Sequence, residues 1–105
     1  MGTLDTKEFA PLAGEAKAKQ LAEIAAKYKG NAKVAQRSRL LSALRLVPVS
    51  TFEARKYLDV MHPAGRVREL RRCDWLIDTV WIAAKSDCGK AHRIALYVLR
   101  GRNDE

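Results

Sequence analysis

The sequence has little of what catalytic and metal sites are built from. Its 105 residues include two His and two Cys. Cys73 and Cys88 are too few for a disulfide framework, and scattered thiols of this kind are expected to stay reduced. A zinc site would need Cys73, Cys88, His92 and a fourth ligand, and the spacing of Cys88 and His92 alone is a weak signature. No metal and no cofactor is expected. There is no G-x-S-x-G, no P-loop and no H-E-x-x-H. Acids fall about one to an element, which leaves no paired-carboxylate site, so an enzyme is not expected. No apolar run approaches the roughly 18 residues that a membrane span needs. Met1 to Thr6 is polar with no apolar stretch behind it, so neither a secretory signal nor a membrane partner is expected. A cytoplasmic or nucleoid-associated protein is the default. Internal repeats and low-complexity linkers are missing too.

What is present is apolar content of 48% and a net charge of +8. The hydrophobic fraction is enough for one compact domain with a short appendage. The charge is unevenly placed. Residues 32–102 carry fifteen Lys or Arg against six acids, whereas residues 1–31 are close to balanced. An excess on the structured part rather than on a tail is the electrostatic footprint of a protein that meets phosphate backbones. Charge alone fits a merely soluble basic domain equally well.

Periodicity divides the chain into 1–31, an N-terminal extension with one helix, 32–102, the main domain, and 103–105, a polar tail. Gly14 to Lys29 is rich in Ala, Lys and Glu, with Leu21, Ile24, Ala25 and Tyr28 on one face. That helix is expected either to lie on the main domain or to pair with a second copy of itself. Lys33 to Leu46 forms the next helix, with Val34, Leu40, Leu41 and Leu44 as its apolar stripe and Arg37, Arg39 and Arg45 outside or at the border. Val47-Pro48 ends it, because a residue before Pro is pushed out of the α region. Ser50-Thr51-Phe52-Glu53 is a capping-box sequence that opens a short helix from Thr51 to Leu58. Pro63, favourable in a first turn, opens a third helix to about Cys73, burying Val67 and Leu70. The period then switches to that of strands at Leu76 to Ile82 and Ala91 to Leu99, joined by a turn at Lys85 to Lys90. Trp75, Trp81 and Tyr97 are expected to finish the core rather than to stack on single-stranded nucleic acid.

Three helices followed by a hairpin is the layout of a winged helix-turn-helix: an α+β fold, mainly α, with an extra N-terminal helix. The second helix of such a pair can lie in the major groove of duplex DNA, braced by the first. On a wheel of about 100° per residue centred on Val67, Pro63, Ala64 and Leu70 fall on the core side, Gly65, Glu69 and Arg72 opposite, and Arg66 and Arg68 on the flanks. His62 projects from the N-terminus. Arg suits guanine O6 and N7, and Arg66, in the first turn, is the first choice for a base contact. Gly65 would allow close approach, and Glu69 could accept from cytosine or hold an Arg. Arg71 falls near the core side, where it could reach a phosphate or pair with an acid. Ser50, Thr51, Arg55 and Lys56 are backbone-contact candidates on the first helix. Lys85, Lys90 and Arg93 surround the wing tip. The alternative for all these charges is a solvated basic face.

The blocks Ser50-Thr51-Phe52-Glu53-Ala54-Arg55, Met61-His62-Pro63-Ala64-Gly65-Arg66-Val67-Arg68-Glu69-Leu70-Arg71, Ile77-Asp78-Thr79-Val80-Trp81 and His92-Arg93-Ile94-Ala95-Leu96-Tyr97-Val98-Leu99 occur in order. Together they resemble a family of small helix-turn-helix domains of bacteriophages, prophages and their hosts, over about Leu40 to Leu99. The resemblance implies a DNA-binding role in the host cytoplasm and marks Arg66, Glu69 and Arg71. Gly65 departs from the commoner Ala, and the turn before Gly89 is longer and polar.

The leading expectation is therefore a sequence-specific duplex-DNA-binding protein, a phage- or prophage-type transcriptional regulator or a recombination or replication accessory. A homodimer through the N-terminal helix would suit paired half-sites. The alternative is a protein–protein adaptor or inhibitor that reuses the fold on a host protein. An RNA partner is the third reading.

Overall fold

Each helix begins where the sequence signals place it, and each ends a little sooner. The computed structural model describes residues 14–103. Expectations for residues 1–13 and for 104–105 lie outside the described residues. Helices α1 (Gly14–Lys27) and α2 (Lys33–Leu44) precede a two-residue strand β1 (Val49–Ser50). Then come α3 (Thr51–Tyr57), α4 (Pro63–Arg72) and the long strands β2 (Trp75–Lys85) and β3 (Ala91–Arg102). At the start of α3 the capping box is complete. Ser50 Oγ accepts from the Glu53 N–H at 3.1 Å, and the Glu53 carboxylate accepts from the Ser50 N–H at 2.9 Å. Leu46 and Val47 both donate to the Ala43 carbonyl, which closes α2 ahead of Pro48.

The sheet is three-stranded and antiparallel in the order β1-β3-β2. β1 joins through the pairs Val49↔Tyr97 and Ser50↔Leu96. The hairpin reading lacked this strand, because two residues are too few to show a period of two. In the hairpin itself Thr79 faces Tyr97, Trp81 faces Ala95 and Ala83 faces Arg93. Tyr97, Ala95, Ile77 and Val49 turn to one core with Leu40, Leu44, Leu58 and Val67. That identifies the helix-facing side of the sheet.

Helix α1 shares that core. Leu21 and Ile24 are buried in it, and Lys17 pairs with Glu53 at 2.9 Å. Of the two fates open to this helix, the structure shows packing on the main domain. Of the stripe that a dimer through α1 would use, Leu21 and Ile24 are therefore already buried within one chain, while Tyr28 is exposed.

Two residues of α2 are corrected. Val34, expected in the apolar stripe, is 63% exposed. Arg39, expected outside or at the border, is only 2% exposed. Its Nε donates to the Leu58 carbonyl at 2.6 Å, Nη2 to that of Asp59 at 3.1 Å, and Nη1 to those of Gly30 at 2.9 Å and of Tyr28. These acceptors follow the C-terminal ends of α1 and α3, where unpaired carbonyls carry partial negative charge. No acid pairs with Arg39 among the described residues. The carbonyls at the two helix ends stabilise its charge instead, among them that of Asp59, which lies at φ 54°.

Replacing Arg39 with Ala strands four carbonyls, at least one fully away from water. Arg39→Ala is expected to cost about 3 kcal/mol or more in urea unfolding, with Arg39→Lys in between, since an ammonium keeps the charge but lacks the fork.

Candidate nucleic-acid interface

Helix α4 is held by its buried residues, and these sit differently from the wheel reading. Pro63, Arg66, Val67 and Leu70 are buried, while Ala64, Arg68, Arg71 and Arg72 are exposed and Gly65 and Glu69 lie between. The buried arc is turned about 50° from Val67 toward Arg66. Ala64 therefore moves from the core side to the surface. Arg66 moves the opposite way. It is not offered to a groove: its Nη2 pairs with Glu69 at 3.0 Å, and its Nε is buried without a partner. The first-choice base contact is thus occupied within the fold.

Glu69 carries a second guanidinium. Arg37 Nη1, from α2, reaches its other oxygen at 2.9 Å. The hydrogen bond from Arg37, with the positive charges of Arg66, Arg37 and Lys33 nearby, holds the Glu69 carboxyl below its usual range against a smaller effect of burial. Arg37 and Lys33 were not among the candidates, because only the packing of α2 on α4 brings them beside this helix.

Arg71 is exposed but neither free nor paired with an acid. Its Nε and Nη2 donate to the Ile77 carbonyl at 3.0 and 2.6 Å, and Nη2 also reaches Thr79 Oγ1 at 3.0 Å. It ties α4 to the first strand of the hairpin. Arg68 and Arg72 have no acidic partner among the described residues. His62 is exposed at the N-cap of α4 and makes no side-chain cap bond. Gly65 is not required by the fold, because a Cβ there would meet only His62 Cβ at 3.9 Å.

The start of α3 does not form the phosphate site expected of it. Ser50 is buried, its hydroxyl engaged in the cap. Thr51 Oγ1 donates to the Ala95 carbonyl at 3.4 Å. The Glu53 carboxylate occupies the same end, accepting from the Ser50 N–H and pairing with Lys17. Arg55 and Lys56 remain on the surface. Arg55 Nε donates to the Met61 carbonyl at 3.1 Å, and Lys56 lies over the Tyr57 ring and 3.8 Å from Asp87 of the wing loop. A cleft lined by Phe52, Arg55, Lys56, Tyr57, Lys85 and Asp87 separates α3 from the wing tip.

Lys85, Lys90 and Arg93 are exposed on the wing. Trp75 and Tyr97 pack as expected, Trp75 under Arg45 and Arg102. Trp81 does not: it is 57% exposed, with the Arg93 guanidinium 5.1 Å from its ring centroid. The hairpin outruns the core beneath it. In the loop, Ser86 Oγ lies 3.1 Å from Cys88 Sγ, and this contact lowers the thiol's pKa. Among the described residues no group of three or more His, Cys, Asp or Glu could hold a metal ion, and no helix is long and apolar enough to cross a membrane.

A three-helix unit, a short strand and a hairpin that stands beside the last helix define a winged helix. The chain belongs to the winged helix-turn-helix domain family, whose family model matches residues 35–102, well over half its length. Membership suggests DNA binding. No curated protein and no solved structure matches the chain.

Two outcomes follow from α4. Gly65→Ala is expected to stabilise the protein by about 0.5–1 kcal/mol in thermal melts, since the methyl fits and the unfolded chain loses freedom. Glu69, with its pKa lowered on folding, contributes stability that is full above the ordinary glutamate value of about 4.3 and is lost as pH falls through the lowered value. The melting-temperature advantage of the native protein over Glu69→Gln is therefore expected to be constant near neutrality and to shrink below about pH 4.

Proposed function

We propose that the protein binds double-stranded DNA sequence-specifically, with the outer face of α4 in the major groove and the wing on the flanking minor groove. The observation that carries this reading is the pairing of Arg68 and Arg72. They stand one turn apart on the exposed side of a helix whose other side is in the core, with no acidic partner among the described residues. Arg68 takes over the base-contact role first assigned to Arg66, through two N–H donors to guanine O6 and N7. Arg66 and Glu69 act from behind, as a brace. Lys33 and Arg37 on one side, and Arg55, Lys56, Lys85 and Lys90 toward the other, supply phosphate contacts that set affinity without reading sequence, and Arg93 stands on the wing beside the minor groove. His62 and Gly65, at the N-terminal end of α4, sit where a recognition helix comes closest to the bases.

The resemblance of the blocks from Ser50 to Leu99 supports a phage- or prophage-type role, as a transcriptional regulator or a recombination or replication accessory. Such a role would place the protein in the cytoplasm with the nucleoid. A second reading has one observation in its favour. β2 is an edge strand, and its Leu76 and Val80 are 45% and 42% exposed. Exposed apolar edges invite another chain. A protein partner or a second copy would use this edge rather than α1, and a stoichiometric partner retained after nuclease treatment would favour it.

Selection from a random duplex library, followed by anisotropy on the enriched duplex, tests the main reading. Affinity is expected to fall roughly a thousandfold between 50 and 200 mM salt if about six phosphates are neutralised. Arg68→Ala is expected to lose about 1–3 kcal/mol on the enriched duplex and to relax one position of the site. No enrichment, with no duplex binding at low salt, would overturn the proposal.

A further inference from the structure

The inner face of the wing carries an aromatic residue that the fold does not use. Side chains directly opposite across the hairpin share a face. Ile77, Thr79 and Trp81 therefore lie on the side of Tyr97 and Ala95, the side that faces the helices. Arg71 of α4 is bonded to Thr79 on that side, at 3.0 Å. Trp81 is the next side chain along it, about 7 Å nearer the tip. Beyond Trp81 the same face runs through Ala83 and Lys85 on β2 and through Arg93 and Ala91 on β3.

Three features of this strip point outward. Its alanines are small, so a backbone can come close to the sheet, and only Trp81, Arg93 and Lys85 stand above it. Its charges are all positive. The indole is more than half exposed although Arg93 covers it, so a large apolar area stays in water with nothing on the strand to bury it. An Arg held over an indole also has fewer conformations to lose on binding. The opposite face of the same hairpin is engaged within the fold: it carries Asp78, paired with Arg100 at 2.7 Å, and His92, whose ring meets that of Phe52 of α3 edge-on.

We infer that Trp81 and Arg93 form a single minor-groove contact, in which the indole positions the guanidinium and itself packs on deoxyribose. The inference rests on the duplex-binding reading above and adds a contact residue to it. Narrow minor grooves concentrate negative potential and take up Arg, and the apolar sugar walls suit an aromatic ring beside it. The contact is continuous with the α4 face through Arg71 and Thr79, so helix and wing would engage one stretch of duplex together.

The test uses the full chain with Trp75→Phe, which leaves Trp81 as its one indole, after thermal melts show that the variant folds. A labelled duplex reports complex formation by anisotropy while Trp81 emission and its quenching by acrylamide are read in the same cuvette. Complex formation is expected to quench Trp81 and to lower its acrylamide accessibility. In the otherwise native chain, Trp81→Ala is expected to weaken binding about tenfold, the scale of one aromatic contact to nucleic acid. Trp81→Phe, which keeps a ring beneath Arg93, is expected to weaken it about threefold. Trp81→Ala combined with Arg93→Ala is expected to cost less than the product of the two single losses. An anisotropy rise with unchanged Trp81 emission and accessibility would overturn the inference and leave the duplex reading standing. No anisotropy rise for the native protein would overturn both. Quenching by a single-stranded oligonucleotide at lower concentrations than by the duplex would overturn the minor-groove assignment.

Discussion

A single guanidinium fixes the relation of three helices. Arg39 projects from α2 into the gap where α1 and α3 end, and its donors take carbonyls from both ends. Two of those carbonyls, of Leu58 and Asp59, lie in the turn that leads to α4. Asp59 is in the left-handed region, a conformation unfavourable for most side chains, and the bond to its carbonyl helps to hold it there. The direction in which α4 leaves that turn decides what α4 can show to a partner. The position of α4 thus depends on a residue that lies outside it and is almost wholly buried.

Beyond the turn, the four arginines of α4 have three different fates. Arg66 is drawn inward by Glu69, which also holds Arg37 of α2. Arg71 is drawn sideways onto β2. Arg68 and Arg72 remain outward. Glu69 engages Arg66, and the Ile77 carbonyl with Thr79 engages Arg71, which leaves Arg68 and Arg72 as the outward pair. The bridge between α2 and α4 and the bond between α4 and β2 lock the helix on both flanks. A rigid helix presenting few side chains loses little conformational entropy on binding. The cost is one buried Arg66 Nε without an acceptor.

Much of this was legible in the sequence. The starts of α3 and α4 follow from the capping box and from Pro63, and those of α1 and α2 from helix-forming composition and apolar periodicity; the capping box at Ser50 and Glu53 is present in full. The change of period near Trp75 marks the hairpin. What was not legible depends on contacts between elements. Arg39 looks like any border arginine on a wheel, because nothing local says that two helix ends will meet there. The wheel of α4 was centred on Val67, whereas the contact with α2 pulls the buried arc toward Arg66. Ser50 carries a helix-cap signal that is correct, yet its pairing with Leu96 puts it out of reach of a phosphate. Trp81 reads as core by composition, but whether a strand residue is covered depends on how far the hairpin extends past the helices.

The most direct test of the account is a map of backbone amide shifts in a nitrogen-15 NMR titration with the selected duplex. The account predicts the largest changes at Ala64, Gly65, Arg68 and Arg72 and along the wing from Thr79 to Arg93, with α1 and the amides around Arg39 unmoved. Changes concentrated on α1 or confined to the β2 edge at Leu76 and Asp78, with the outer face of α4 silent, would contradict it.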